Sequence, residues 1–311
     1  MDTLSATTVN RALPYSSLIP ALQQAFCQAI TAPMRHHHDM DNPGHRETTL
    51  LLMPAWQAGD KVGVKLVTVA PDHSPAIQGI YLLMDLASGR PELMMDAPAL
   101  TARRTAAASA LAASFLAPTQ ARTLLMVGTG TLSKQLIQAH CAVRPIERVL
   151  IWGRDFNKAQ CLAQSLPQIH CQPIRHLETG CREADVISVA TLARTPLIDG
   201  HWLRPGQHLD LVGAYRPDMR EANDEAVRRC QLFVDTRQGA LKETGELVIP
   251  LQQGLISDSD IVADLFDLCR KTHPGRTDEH QLTLFKSVGH ALEDLAAAKL
   301  VASYWRQHHD Q

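Results

Sequence analysis

No apolar run in the 311-residue sequence approaches the roughly 18 residues that suggest a membrane-spanning helix. The opening "MDTLSATTVNRALPYSSL" has an early Asp and lacks a basic stretch followed by an apolar one, so no secretory signal is expected. The seven cysteines, at 27, 141, 161, 171, 181, 230 and 269, are odd in number and include no C-x-x-C pair. The ten-residue rhythm of Cys161, Cys171 and Cys181 matches no metal spacing, so reduced, mostly buried thiols in a cytoplasmic protein are expected. An excess of one charge is also missing. Thirty Lys and Arg face 32 Asp and Glu, and the formal net charge of −2 gives no electrostatic reason for nucleic acid or an anionic membrane as partner. Internal repeats and low-complexity segments are absent as well. What is present, 45% apolar and 20% charged residues, is the composition of a globular protein with a sizeable core. The length suits about two domains.

The order of patterns divides the chain. Two short helices are predicted in the first thirty residues, then a polar stretch, "TAPMRHHHDMDNPGHRETT". Strand-like runs follow: "TTLLLMPAW", "KVGVKLVTVAP" and "IQGIYLLMDLASGRPELMMD", the last with a hairpin turn at Ala-Ser-Gly, which predicts an antiparallel sheet. Next comes an Ala-rich helix with Asp96 as N-cap and Pro98 in its first turn, and then a linker, "APTQAR". From Thr123, "TLLMVG", "RVLIWG", "ADVISVAT", "QHLDLVGAY" and "LFVDT" alternate with segments long enough for helical crossovers, the pattern of a parallel α/β sheet. "TLFKSVGHALEDLAAAKLVASYWRQH" reads as one long amphipathic helix belonging to the first domain.

The sharpest local signal is "LLMVGTGTLSKQLIQAH", a strand, then Gly128, Gly130 and Ser133 at G-x-G-x-x-G/A spacing, then a helix. Two glycines permit the tight turn and close approach to a pyrophosphate, and the helix N-terminus adds free N–H groups and a favourable dipole. An ordinary glycine turn is the alternative. Gly128, Thr129, Gly130, Thr131 and Leu132 are therefore candidate cofactor ligands, with Ala190, Thr191, Gly213 and Ala214 at later strand ends. After "RVLIWG", where NAD enzymes carry an acid for the ribose, stands Arg154, with Lys158 four residues on. Arginine pairs with a 2′-phosphate, so NADP(H) is preferred. Asp155 keeps NAD(H) open, should it point at the ribose.

Three cations are candidates for anion binding. Lys65 shares its strand face with Gly63, Val67 and Val69, and an ammonium there needs a partner or a shifted pKa; an edge-strand lysine is the alternative. One of Arg103 and Arg104 must face inward, because successive helical residues point about 100° apart. Arg35 precedes the histidines. Each alone is more often a surface charge than a ligand. His36, His37, His38 and His45 suggest no metal, since three consecutive residues of an extended strand cannot converge on one ion, and a solvated loop or cleft rim is expected. Tyr215 and Arg216 follow a late strand end and are expected to line the nicotinamide side, whereas Glu221 and Asp224 read as capping or solvated residues of the next helix.

Together "PMRHH", "GVKLVT", "SGRPELMMDAPALTARRTAAASALA", "VGTGTLSKQ", "LVGAYRPDMREAND" and "LFKSVGHALEDLAAA" resemble the ornithine cyclodeaminase/mu-crystallin family over most of the chain. The resemblance implies a Rossmann-type domain, 119–287, inserted into a smaller α+β substrate and dimerisation domain, 1–118 with 288–311, and a homodimer. It places the carboxylate ligands on Arg35, Lys65 and Arg104, with Lys65 and Arg104 catalytic. In amine-oxidising members an Asp follows the late Gly-Ala; here that position is Tyr215. The departure shifts the expectation to the NADPH-dependent ketimine reductase members. These reduce Δ1-pyrroline-2-carboxylate or Δ1-piperideine-2-carboxylate to L-proline or L-pipecolate. Ornithine cyclodeaminase, alanine or N-alkyl amino acid dehydrogenase, and a non-catalytic binder of NADP and a small carboxylate remain the alternatives.

Overall fold

The computed structural model describes residues 1–45, 48–70, 72–73 and 77–309. Two compact units emerge, Met1–Thr105 with His290–Gln311, and Ala106–Gly289. The first division falls inside the Ala-rich helix, where the sequence had suggested a boundary after 118.

The first unit begins with β1 (Asp2–Leu4), α1 (Ala6–Ala12) and α2 (Tyr15–Cys27), followed by β2 (Ile30–Thr31), β3 (His36–Met40), β4 (Thr48–Gln57), β5 (Lys61–Val69), β6 (Ile77–Asp85) and β7 (Pro91–Asp96). Its sheet runs β1-β7-β6-β5-β4-β2, with β3 also on β4, and is antiparallel except where β1 joins β7. The β6–β7 turn forms because the Asp85 carboxylate accepts from the backbone N–H and the hydroxyl of Ser88, at 2.8 and 2.7 Å, and Gly89 takes a positive φ of 69°. Period-two alternation buries Gly63, Lys65 and Val67 of β5 together with Tyr81 and Leu83 of β6. The histidine stretch is a correction: His36–Met40 is an exposed strand on β4, not a loop. α3 (Ala97–Leu116) starts where Asp96 accepts the Ala99 N–H at 2.8 Å.

The second unit is a parallel sheet in the order β10-β9-β8-β11-β12-β15-β13-β14. Its strands are β8 (Thr123–Val127), β9 (Arg148–Trp152), β10 (Cys171–Pro173), β11 (Val186–Val189), β12 (His208–Leu211), β13 (Gln231–Val234), β14 (Ile261–Asp264) and β15 (Thr283–Lys286). The helices are α4 (Thr131–Val143), α5 (Phe156–Gln164), α6 (Leu177–Glu183), α7 (Asp224–Arg229), α8 (Arg237–Glu243), α9 (Gly245–Gln252) and α10 (Leu265–Cys269). Leu125, Val127, Ile187, Val189, Leu209 and Leu211 form the centre of its core. Sheet order reverses beside β8, which makes the strand C-termini there the ligand crevice of a Rossmann-type fold.

The final segment is also corrected. Thr283–Lys286 is strand β15 between β12 and β13, and α11 (Ala291–His309) starts only after Gly289, whose φ is 84°. α11 packs on α2 and β5 in the first unit. All seven cysteines are free, but only Cys181, Cys230 and Cys269 are buried. No helix among the described residues is long and apolar enough to cross a membrane.

Candidate active site

In the first unit, Lys65 and Arg104 converge on one carboxylate. β5 is interior to its sheet, so Lys65 is no edge-strand lysine; it is only 3% exposed. Its Nζ lies 2.9 Å from Asp294 Oδ2 and 3.1 Å from Oδ1. Arg104 Nε donates to Asp294 Oδ1 at 2.9 Å and its terminal nitrogen to Glu293 Oε2 at 2.6 Å. Arg103, one position back, turns outward to Asn10 Oδ1 at 3.0 Å and lies over the Tyr15 ring. Arg35 is half-buried and close enough to disfavour a charge on Lys65.

Burial dominates the electrostatics of this cluster. It lowers the Lys65 ammonium to about 8; Asp294 opposes that shift, while Arg104 and Arg35 add to it. Burial alone would raise Asp294, but Arg104 and Lys65 outweigh it and hold its carboxyl below the usual range. Across β6, in register with Lys65, stands Tyr81, whose buried hydroxyl has no hydrogen-bond partner among the described residues. Burial, reinforced by Asp294, pushes that hydroxyl well above its ordinary value. Gly63 is required beneath it, because a Cβ there would come within 1.9 Å of the Tyr81 oxygen.

The structure thus brings together two of the cations singled out from the sequence, and holds them with two acids that were not singled out. An anion for Lys65 was expected from a ligand, and the protein supplies one itself. The available signal was Glu293-Asp294 set into the otherwise apolar "ALEDLAAAKLVA".

In the second unit, the nucleotide-type loop lies between β8 and α4. Gly128 has φ 119°, and a Cβ there would come within 2.5 Å of the Ala190 carbonyl oxygen, so the position requires glycine. Gly130 is the N-cap of α4, has no side-chain cap, and faces open space where a Cβ would lie. Thr131 and Leu132 open the helix, and Ser133 is fully buried beneath it. Gly153 presses on Thr129, within 2.7 Å of its methyl if a Cβ were added, so the end of β9 abuts the loop. Asp155 is occupied as the N-cap of α5, accepting the Asn157 N–H at 2.9 Å. Arg154 and Lys158 are exposed and form no ion pair among the described residues. An open helix N-terminus, two glycines that tolerate no side chain or leave a cradle, and two free cations after β9 fit a dinucleotide phosphate chain.

The ends of β11 and β12 are tied together by Glu221. Its Oε1 accepts the Thr191 N–H at 2.7 Å and the Thr191 hydroxyl at 2.9 Å; its Oε2 accepts the Gly213 and Ala214 N–H groups at 2.7 and 3.2 Å. Burial, opposed by Lys286 and reinforced by Glu246, pushes Glu221 up to about 7. Glu246 in turn accepts the Glu221 and Ala222 N–H groups at 2.8 Å each. Reading Glu221 as a solvated residue was wrong. Asn223 caps α7, and Asp224 pairs with Arg220 at 2.7 Å. Tyr215 follows the clamp, half-buried, and Arg216 is exposed and pairs with Asp218 at 3.1 Å. Among the described residues, no group of three or more His, Cys, Asp or Glu is placed to hold a metal ion.

The model of the ornithine cyclodeaminase/mu-crystallin family matches residues 1–309. The chain belongs to that family. Within it, the Δ1-pyrroline-2-carboxylate reductase of Paracoccus denitrificans is 40% identical over 286 residues, covering 90% of each chain. The ketimine reductase mu-crystallin of Rattus norvegicus is 35% identical over 314 residues, covering 97% of this chain and 96% of its own. The structure of Thermococcus litoralis Δ1-pyrroline-2-carboxylate reductase in complex with NADH and L-proline superimposes with a TM-score of 0.93. It is 29% identical and covers 99% of this chain and 98% of that one. This member of the ornithine cyclodeaminase/mu-crystallin family is an oxidoreductase.

Proposed function

We propose that this protein reduces a cyclic ketimine carboxylate, Δ1-pyrroline-2-carboxylate or Δ1-piperideine-2-carboxylate, to L-proline or L-pipecolate, using NADPH in preference to NADH. The observation that carries the reading is the buried Lys65–Arg104 cluster, with Tyr215 where amine-oxidising members of the family have Asp. The relatives named above support it, being a pyrroline-2-carboxylate reductase and a ketimine reductase.

Arg35 and Arg104 clamp the substrate carboxylate, a task suited to a guanidinium fork. Lys65, held by Asp294, adds charge and supplies the proton that the imine nitrogen takes up. Tyr215 borders the ring. Gly128 to Leu132 hold the pyrophosphate, Arg154 and Lys158 the 2′-phosphate, and Ala190, Thr191, Gly213 and Ala214 the nicotinamide end. The cofactor supplies the hydride that goes to the C=N carbon. The protein's own contribution is positioning and charge.

Dimerisation follows from the opposite face of the first sheet. Val64, Leu66, Ile80, Leu82, Met84 and Met94 lie on that face, half-buried or exposed and in register across β5, β6 and β7. A contiguous apolar patch of this kind is rare on a monomer and suits a second copy of the chain. A cytoplasmic, metal-free enzyme is the setting this reading implies.

The test is NADPH oxidation across the two cyclic ketimines, pyruvate with ammonia, and pyruvate with methylamine. The reading expects a cyclic ketimine to give the highest kcat/KM. A faster rate with pyruvate and either amine would replace it by the dehydrogenase alternative, and no turnover with any of them, and no ammonia release from ornithine with NAD, would leave a binding protein.

A further inference from the structure

Two carboxylates, Glu293 and Asp294, lie buried against the cations assigned above to the substrate, and they divide the labour. Glu293 touches Arg104, whereas Asp294 touches both Arg104 and Lys65. Adjacent residues in the first turn of α11 thus meet different nitrogens of Arg104, and Asp294 alone of the two also reaches Lys65, because successive helical side chains diverge by about 100°. We propose that Asp294 is a positioning residue: its carboxylate fixes the Lys65 ammonium and the Arg104 guanidinium in place, and so governs how firmly Lys65 keeps the proton it gives to the imine. This inference rests on the ketimine reductase reading and extends it to a residue that touches neither substrate nor cofactor in that scheme.

The surroundings leave Asp294 as the group that opposes proton loss. Lys65 is fully enclosed, and the titratable groups facing it are Asp294 from α11, Arg104 from α3, Arg35 from the segment before β3, and Tyr81 from β6. From β4 its register partner is Met53, which is apolar. Burial, Arg104 and Arg35 all favour the neutral amine, and among the described residues Asp294 is the group that favours the ammonium. The same carboxylate oxygen bonds both cations, Oδ1 to Lys65 Nζ at 3.1 Å and to Arg104 Nε at 2.9 Å. Moving that oxygen therefore displaces the proton carrier and the carboxylate clamp together. In the reaction, the imine C=N bond gains a hydride at carbon and the Lys65 proton at nitrogen. Lys65 is left neutral and takes a proton from solvent before the next turnover.

Lys65 acts while protonated, so kcat must fall as the pH rises through its titration, near 8. The experiment compares pH profiles of kcat and kcat/KM for a cyclic ketimine in the wild type, Asp294→Asn and Glu293→Gln, with NADPH affinity measured on the same preparations. Removing the one favourable charge should move the alkaline limb of Asp294→Asn down by about 1–3 pH units. Glu293→Gln should raise KM and leave the limb in place. NADPH affinity should be unchanged in both. A limb at the wild-type pH in Asp294→Asn, or an equal shift in Glu293→Gln, would overturn the proposal. If Asp294→Asn does not fold, Asp294→Glu takes its place. Its carboxylate sits one carbon farther out and disturbs the oxygen that Lys65 and Arg104 share, so its limb should also fall, and a wild-type limb there refutes the role. Absence of ketimine reduction in the wild type would instead refute the reaction assignment.

Discussion

Replacing Arg154 by Asp tests the cofactor assignment through a charge whose surroundings are known. Arg154 is exposed and lies one residue before an Asp that is occupied capping α5, so its charge is not already spent on a protein partner. At about 5 Å in water, two unit charges interact by about 0.8 kcal/mol. A 2′-phosphate carries roughly −1.5 to −2, and the substitution changes the local charge by two units, which gives about 2.5–3 kcal/mol before screening. Physiological salt, with a Debye length of about 8 Å, removes roughly half of that. Losing the charge-assisted hydrogen bond adds at least about 1.5 kcal/mol, for a total near 3 kcal/mol, or roughly a hundredfold in NADPH affinity. NADH has no 2′-phosphate and should bind about as before. The assay is kcat/KM for the two cofactors at low and high salt, since a surface charge effect must shrink as salt rises. A wild type that uses both cofactors equally, or a variant whose NADPH-to-NADH ratio matches the wild type, would refute the reasoning.

Two further substitutions probe the first unit. Arg104→Lys keeps the charge but loses the planar fork shared between Glu293 and Asp294, so it should raise the ketimine KM at least about tenfold while NADPH affinity holds; a normal KM would make the arginine merely structural. Gly63→Ala places a methyl group within 1.9 Å of the Tyr81 oxygen in a filled interior, which should cost about 1–3 kcal/mol and lower the thermal midpoint. Tyr81→Leu should restore the midpoint of Gly63→Ala, and a Gly63→Ala protein as stable as the wild type would show that the ring moves aside freely.

Legibility of the sequence followed periodicity. Strands β8, β9, β11, β12 and β13 and the β6–β7 hairpin were readable because apolar runs and glycine turns carry their own signal, whereas the short β10 and β14 were not read. His36–Met40 was not, since five polar or exposed side chains on an outlying strand have no alternation to detect. Thr283–Lys286 was absorbed into a helix because a four-residue buried strand gives the same apolar run as a helical turn. At the site, strand periodicity put Lys65 among apolar neighbours and helix geometry turned one of Arg103 and Arg104 inward, but only the family resemblance singled out Arg104. Asp294 lies 229 residues from Lys65 in sequence, and only the folded chain brings the two together. Glu221 was misread for a related reason. Three of its four donors are backbone N–H groups, which leave no mark in the sequence.

The direction of the reaction is the central claim, and one preparation decides it. Initial rates of NADPH oxidation with Δ1-pyrroline-2-carboxylate and with Δ1-piperideine-2-carboxylate are to be compared with ammonia release from L-ornithine in the presence of NAD. Tyr215, standing where amine-oxidising relatives have Asp, predicts rapid reduction of at least one imine, with L-proline or L-pipecolate as product, and little or no ammonia. Release of ammonia and proline from ornithine as efficient as imine reduction would contradict the account.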